Sequence, residues 1–360
     1  MTHYDIAIVG AGIVGATLAA ELAPHASVLM LEAEDQPGYH STGRSAAFWS
    51  ETYGGPAIQP LTTASTAAFR DGGFLQPLGS ISIGRAEDGA AIEAFLAAFA
   101  DTDIVLESVE PATLIPGLRD DWTLGVWEPS CAYIDVGGLH GAALGKAKKG
   151  GAVLATRAGL TGAARRDGRW SLETQAGSFT ADILVNAAGA WADPVAVLAR
   201  AKPLGIQPYR RTVVQLRTDP APPETLPHVA HIGGGFYFKP EAGGRLWLSP
   251  HDETPVDPHD TAPEELDVAI AIDRFENVVD WRVAAVERRW AGLRSFAPDR
   301  LPVYGFDAEV PGFFWAAGQG GFGIQTAPAA AAMAAALLLG RGEVPVGVDA
   351  SRYRPERFLT

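Results

Sequence analysis

Hydrophobic positions fall in short blocks whose period changes repeatedly along the chain, and each change marks an element. Tyr4 to Val9 is mostly apolar and β-branched, the composition of a buried parallel strand. Ala16 to Ala23 is apolar and helix-favouring, and Ser27 to Leu31 is a second apolar run that ends on Glu32. Leu61 to Phe69 and Asp88 to Phe99 carry helical spacing, whereas Ser80 to Gly84 alternates like a half-exposed strand. Leu106 to Trp127 is mixed and proline-marked. Ala152 to Ala155 and Ser171 to Thr174 read as strands, with Arg166-Asp-Gly-Arg169 as a hairpin turn. Asp182 to Asn186 is another buried strand running into a glycine turn and Asp193. Arg210 to Leu216 is a strand whose alternation puts Arg210 and Arg211 on opposite faces. Gly235 to Pro240 and Arg245 to Ser249 pair, Pro263 to Val279 is an amphipathic helix, and Phe313 to Ala317 is a last buried strand. A glycine-rich loop, 318–326, then leads into the alanine-rich stretch Ala327 to Leu339.

The glycines between the first strand and helix give this pattern its chemistry. Gly10, Gly12 and Gly15 stand in G-x-G-x-x-G spacing, and Glu32 follows 17 residues after Gly15. Strand, glycine turn, helix, strand and acid together make a dinucleotide-binding βαβ unit. Gly10 allows the tight turn, Gly12 the close approach of a pyrophosphate, and Gly15 the seating of helix on strand. Free N–H groups at the helix start attract phosphate, and Glu32 is placed to accept from a ribose. Nucleotide-type segments recur at the start, middle and end of the chain. The expected architecture is therefore α/β: a Rossmann-type domain made of 1–75, 135–205 and 292–360, with a second, mainly antiparallel-sheet substrate domain made of 76–134 and 206–291.

Composition narrows the class. The 360 residues are 47% hydrophobic and 19% charged, a globular composition. Twenty-eight Lys+Arg against 42 Asp+Glu give a net charge of −14, which disfavours nucleic acid and anionic membrane as partners. One cysteine, Cys131, excludes a disulfide framework and a cysteine zinc site, and no metal site is expected. No basic n-region precedes the first strand, and Ala327 to Leu339 is 13 residues long with Pro328 in it, against the roughly 20 that a span needs. A soluble, cytoplasmic protein is expected.

A helix beginning near Thr326 aims its positive end over Gly320 to Gly323. That end stabilises the anionic locus of a reduced flavin and raises its potential, a need no nicotinamide enzyme has, so FAD is favoured over NAD. Between Tyr39 and Ala47, Ser41 or Thr42 caps an expected helix through Arg44; that arginine either reaches a pyrophosphate or is solvated.

The stretches Pro37-Gly-Tyr-His-Ser-Thr-Gly-Arg-Ser-Ala-Ala47, Leu184 to Trp191, Pro203 to Pro208, Trp290 to Phe296 and Gly318 to Thr326 carry a family likeness. In them the chain resembles the glycine oxidase/D-amino acid oxidase-like FAD oxidoreductases, and among these the D-arginine dehydrogenases. The resemblance implies non-covalent FAD and oxidation of an amino acid's Cα–N bond by hydride transfer to flavin N5. It implies that Gly10, Gly12, Ile13, Val14, Gly15, Glu32 and Ala33 hold the nucleotide, with Ala158 meeting the adenine through its backbone. Thr42, Gly43, Arg44, Ser45 and Ala46 would line the pyrophosphate and flavin, as would Ala188, Gly189 and Trp191. Gly320, Gly321, Phe322, Gly323, Ile324 and Gln325 would lie along the ring. The substrate carboxylate would fall to Arg211 and Arg294, with hydroxyls from Tyr53 and Tyr237, and the amine to the Gly321 carbonyl. Guanidinium forks match a carboxylate bidentately, and a buried arginine needs an anion. The loop carrying Tyr53 would act as a lid hinged at Gly54-Gly55, with no side chain as obligatory base.

One departure stands out. D-arginine dehydrogenases hold the cationic side chain with a glutamate that opens a strand; here the position falls at Gly79 or Ser80, and Phe48 replaces a nearby histidine. With no carboxylate there, a neutral or apolar side chain is expected to fill a pocket formed by Phe48, Gly79, Ser80 and His228, and His228 is read as a satisfied surface residue. Oxidation of a 2-hydroxy acid or an N-methyl or other secondary amine stays open. So do a nicotinamide dehydrogenase and a non-catalytic flavin-binding subunit. The electron acceptor is expected to be a quinone, a dye or oxygen.

Overall fold

The computed structural model describes residues 2–358. One sheet has eight strands. At its centre Gly177–Asn186 runs parallel to Thr2–Val9, which in turn pairs parallel with Val28–Leu31 and so to Val153–Ala155. The other edge of Gly177–Asn186 is shared. Its first half pairs antiparallel with Arg169–Thr174, and its second half parallel with Phe313–Ala317. Helix Ile13–Leu22 buries eight of its ten residues, and Ala327–Leu339 buries eight of thirteen; both are too apolar for a solvated face because they pack together on this sheet with Ile6, Ile8, Val185 and Phe314. Burying side chains such as Leu18 and Met333 contributes about 1.5–3 kcal/mol each.

The second sheet has ten strands. Its axis is the long antiparallel pair Gln207–Asp219 and Arg282–Phe296, followed by Arg245–Ser249, Tyr237–Glu241, His228–His231, Ser80–Gly84 and Leu124–Glu128. Helix Glu265–Glu276 covers it with Val268, Ala271 and Phe275. Gln319–Gly320 adds to the edge of Arg282–Phe296, so the glycine-rich loop after the last buried strand of the first sheet joins the second sheet. That join places both sheets on one cavity. Among the described residues no helix is long and apolar enough to cross a membrane.

The fold is the expected α/β one, with differences at the ends of elements and in one helix. The helix expected through 41–47 is a run of turns. Gly38, with φ of +80°, starts it; Gly43 N donates back to Gly38 O (2.8 Å), and a Cβ at 43 would sit 2.7 Å from that oxygen. Thr42 caps a helix, but not its own. Its Oγ1 accepts from Ile13 N (3.0 Å) at the start of Ile13–Leu22, where Gly12 brings no capping side chain.

Candidate functional site

A cavity of about 460 Å³ runs between the sheets. At the nucleotide end it is lined by Gly10, Gly12, Ile13, Val14, Glu32 and Ala33. Gly10 has φ of +100°, and a Cβ on it would lie 2.4 Å from Ala187 O. The glycine turn is held from three sides. Glu32 is buried, and its carboxylate accepts Ala11 N (3.0 Å) and Glu34 N (3.0 Å), which leaves lone pairs for a ribose. His140, 129 residues away, is buried with Nε2 2.8 Å from Ala11 O. Gly15 does not line the cavity; a Cβ there would meet Gly10 O at 1.9 Å.

Several nucleotide-side expectations move. Ala158 is fully buried and off the cavity, its N–H donating to Glu32 O (2.8 Å), and Gly159 and Leu160 form the wall instead. Gly43 and Phe322 also stay behind the lining, where Thr42, Ser45, Ala46, Ala188, Gly189, Trp191 and the rest of 320–325 are present. Arg44 reaches the wall, but its guanidinium is spent on protein: Asp260, Thr261 O (2.9 Å) and Ala291 O (3.2 Å). It fastens the turn-rich segment to the second sheet, so the solvated alternative fails.

At the far end Tyr53, Phe48, Arg211, Tyr237, Arg294 and Gly321 line the same cavity. Arg210 and Arg211 diverge as the alternation requires: Arg210 pairs with Glu264 and with Asp267 (2.9 Å), while Arg211 turns to the cavity. Arg211 is 4% exposed, with Nε donating to Asp252 O (2.7 Å) and one terminal nitrogen to Glu253 (3.2 Å). Its other terminal nitrogen is buried without a partner. Burial, then the positive charge of Arg294, bring the guanidinium down to about 10, still charged at neutral pH. Arg294 donates to the Tyr53 hydroxyl, and among the described residues no carboxylate lies within ion-pair distance of it. A Cβ on Gly321 would sit 2.5 Å from the Tyr53 hydroxyl and 2.8 Å from the Arg294 guanidinium carbon. Two like charges thus stand at this end of the cavity, Arg211 paired with Glu253 and 3.9 Å from Asp252 yet with one N–H stranded. An unmet buried donor costs about 1–3 kcal/mol.

Of the expected side-chain pocket only Phe48 lines the cavity; Ser80 and His228 lie behind it, and Gly79 is off the lining too. His228 is 4% exposed, not a surface residue. Its ring stacks on Phe48 (4.4 Å between centroids), Nδ1 is 2.9 Å from Ser80 Oγ, and Nε2 has no partner. It is buried because His228–His231 is an interior strand that pairs His228 with Ser80. Gly79 does not take part. Its φ is +73°, and a Cβ would fall 1.9 Å from the Trp127 ring, so no side chain fits there. Cys131 is buried and off the cavity. His251, unnoticed in the sequence, stands edge-on to Tyr237 with centroids 5.8 Å apart and Nδ1 2.6 Å from Gly234 O.

Both histidines are neutral. Burial, then Lys239, push His228 down to about 3; burial, then Arg211 and Arg294, push His251 down to about 3. An unfolded chain takes up these protons near pH 6.5, and the folded one refuses them until about 3. Stability is therefore fully present above pH 6.5 and falls as pH drops, by about 1.4 kcal/mol per pH unit per histidine. Urea unfolding of His228→Gln should lose less stability between neutral and mildly acidic pH than the parent. An unchanged pH dependence would mean that His228 is protonated in the folded protein.

The family model described as FAD dependent oxidoreductase matches residues 5–337. The chain belongs to that family. It is 27% identical over 376 residues to the bifunctional protein ThiO/ThiG of Synechocystis sp., covering all of this chain and 55% of that one, so the chain spans about half the length of that curated relative. It is 27% identical to the glycine oxidase of Geobacillus kaustophilus, with 91% of each covered. The fold is similar to that of L-proline dehydrogenase from P. horikoshii, with a TM-score of 0.86, 23% identity, and 99% and 98% of the chains covered.

FAD is accordingly the cofactor, and the residues present fit it. The first glycine turn admits no Cβ at Gly10, its helix start is uncapped by Gly12 itself, and Glu32 keeps free lone pairs. Gly320, with φ of +54° and Phe296 2.1 Å from any Cβ, holds the second glycine loop flat along the cavity wall. Helix Ala327–Leu339 follows that loop with no side-chain cap at Thr326.

Proposed function

We propose that the chain oxidises a D-amino acid with a neutral or apolar side chain to an imino acid, which water hydrolyses to a 2-oxo acid. The observation that carries this is the Arg211/Arg294 pair with its stranded N–H at one end of the flavin cavity. Bound FAD supplies the two-electron acceptor. Arg211 and Arg294 bind the carboxylate, and the Tyr53 and Tyr237 hydroxyls fix its orientation. The Gly321 carbonyl holds the amine, and Phe48 and Tyr53 keep water out. Fixing Cα–H in place accounts for most of the rate, with no side-chain base required.

Residues 1–75, 135–205 and 292–360 are the flavin-binding part of this reading, and 76–134 with 206–291 the substrate part. The side chain meets Phe48, which neutral His228 backs from outside the cavity. Among the described residues no acid lines this end of the cavity; Glu32 and Glu34 stand at the nucleotide end. An arginine or lysine side chain buried there costs several kcal/mol, so D-arginine and D-lysine should be poor substrates. The D configuration rests on the family resemblance. A quinone, a dye or oxygen would take up the electrons.

The deciding experiment is anaerobic. Purified yellow protein is mixed with D- and L-amino acids, N-methyl amino acids and 2-hydroxy acids, and the flavin absorbance is followed. Bleaching by neutral D-amino acids but not by D-arginine is the expected result. Bleaching only by secondary amines or hydroxy acids replaces the substrate class, and none at all favours a non-catalytic flavoprotein.

A further inference from the structure

The Tyr53 loop is fastened to a single buried carboxylate that the reaction does not otherwise use. Glu128 ends strand Leu124–Glu128 and is 3% exposed. Its two oxygens accept from Ser50 Oγ (2.9 Å), Glu51 N (2.8 Å) and Thr52 Oγ1 (2.6 Å), three consecutive residues 76 to 78 positions away. The chain of bonds continues to Tyr53, whose N–H donates to Ser50 Oγ (3.2 Å) and whose carbonyl accepts from Gln325 Nε2 (2.9 Å). Tyr53 then meets Arg294 through its hydroxyl. Gly54 and Gly55 follow with φ of +101° and +78°, but a Cβ on Gly54 would lie 2.9 Å from Ile58, so the turn is tight rather than open. Among the described residues this carboxylate has no cation partner, burial makes its charge costly, and it is held by those donors together with Ser130 Oγ (3.4 Å).

We propose that Glu128 is a positioning residue that fixes Tyr53 as a static wall over the substrate carboxylate, in place of a swinging lid. The inference rests on the reading of Tyr53 and Arg294 as the carboxylate receptor. Glu128→Gln keeps the shape but puts an NH₂ where an acceptor stood, so at least one loop donor loses its partner. Residues 50–53 then sample other positions, while the nucleotide end of the cavity, to which neither Glu128 nor residues 50–53 contribute, keeps its lining.

The test is a double-mutant cycle on holoenzyme, with the best neutral amino acid of the panel as substrate and benzoate as a carboxylate probe, its binding read from the flavin spectrum. Tyr53→Phe and Glu128→Gln should each raise KM and the benzoate Kd about tenfold. The double variant should be no worse than Tyr53→Phe alone, and flavin content should match the parent in all three. Multiplicative effects would overturn the inference, as would a Glu128→Gln variant with parental KM and Kd. A Tyr53→Phe variant that binds benzoate normally would instead sink the reading of the site. Should Glu128→Gln fail to fold, Ser50→Ala with Thr52→Val loosens the same loop from its other side and must give the same rise.

Discussion

Arg294→Met leaves a yellow protein that has lost turnover of carboxylate substrates. The expected fall in kcat/KM is on the order of 10² to 10³-fold, since removing one partner of a desolvated charge pair costs about 3–5 kcal/mol. The fold should be indifferent to the change. Among the described residues Arg294 carries no carboxylate that would be orphaned, and methionine fills a comparable volume. Arg211→Met is a less clean probe, because Arg211 also serves Asp252 O and Glu253, although Glu253 keeps Arg300 at 2.9 Å. Steady-state kinetics beside the flavin spectrum decide it: unchanged turnover in yellow Arg294→Met protein removes the anion receptor from the mechanism.

Gly15→Ala should yield protein depleted of flavin. The added methyl would lie 1.9 Å from Gly10 O, which is backbone and cannot rotate away. Helix Ile13–Leu22 must then lift off its strand and take the uncapped N–H groups with it. Overpacking of this kind costs about 1–3 kcal/mol, a ten- to hundredfold loss of FAD affinity if it falls on the loop. Flavin released on heating, measured per chain, reads the effect. Full occupancy with a parental melting temperature would mean that the glycine is not needed for close helix–strand packing.

The two variants probe parts of the molecule that were unequally legible in the sequence. Gly15 acts through neighbours five residues away in the chain, and the strand–glycine–helix–acid order announces it. The arginines come from strands far apart in sequence. Alternation alone could separate Arg210 from Arg211, but which faced solvent, helix or ligand depended on Glu264, just before helix Glu265–Glu276, and Asp267 in its first turn standing on one side. Arg44 was ambiguous for the same reason, since its carboxylate, Asp260, lies 216 residues on. His140, which fixes the glycine turn from outside it, gave no local signal, and Thr42 read as a cap but for the wrong helix.

The alternating and 3.6-residue hydrophobic periods, the glycine spacing and the acid after the second strand are properties of neighbouring residues. By themselves they determined an α/β chain with a nucleotide site at its start, and the glycine-rich loop before the last helix pointed to a flavin. What those residues face was decided only by tertiary structure. Interior strand pairing made His228 a buried neutral wall beside Ser80, 148 residues away, and turned Gly79 against Trp127. Glu128, 78 residues beyond Ser50, became the anchor of the Tyr53 loop. Burial and hydrogen-bond partners at such separations arise from how the sheets meet, and no local period encodes that.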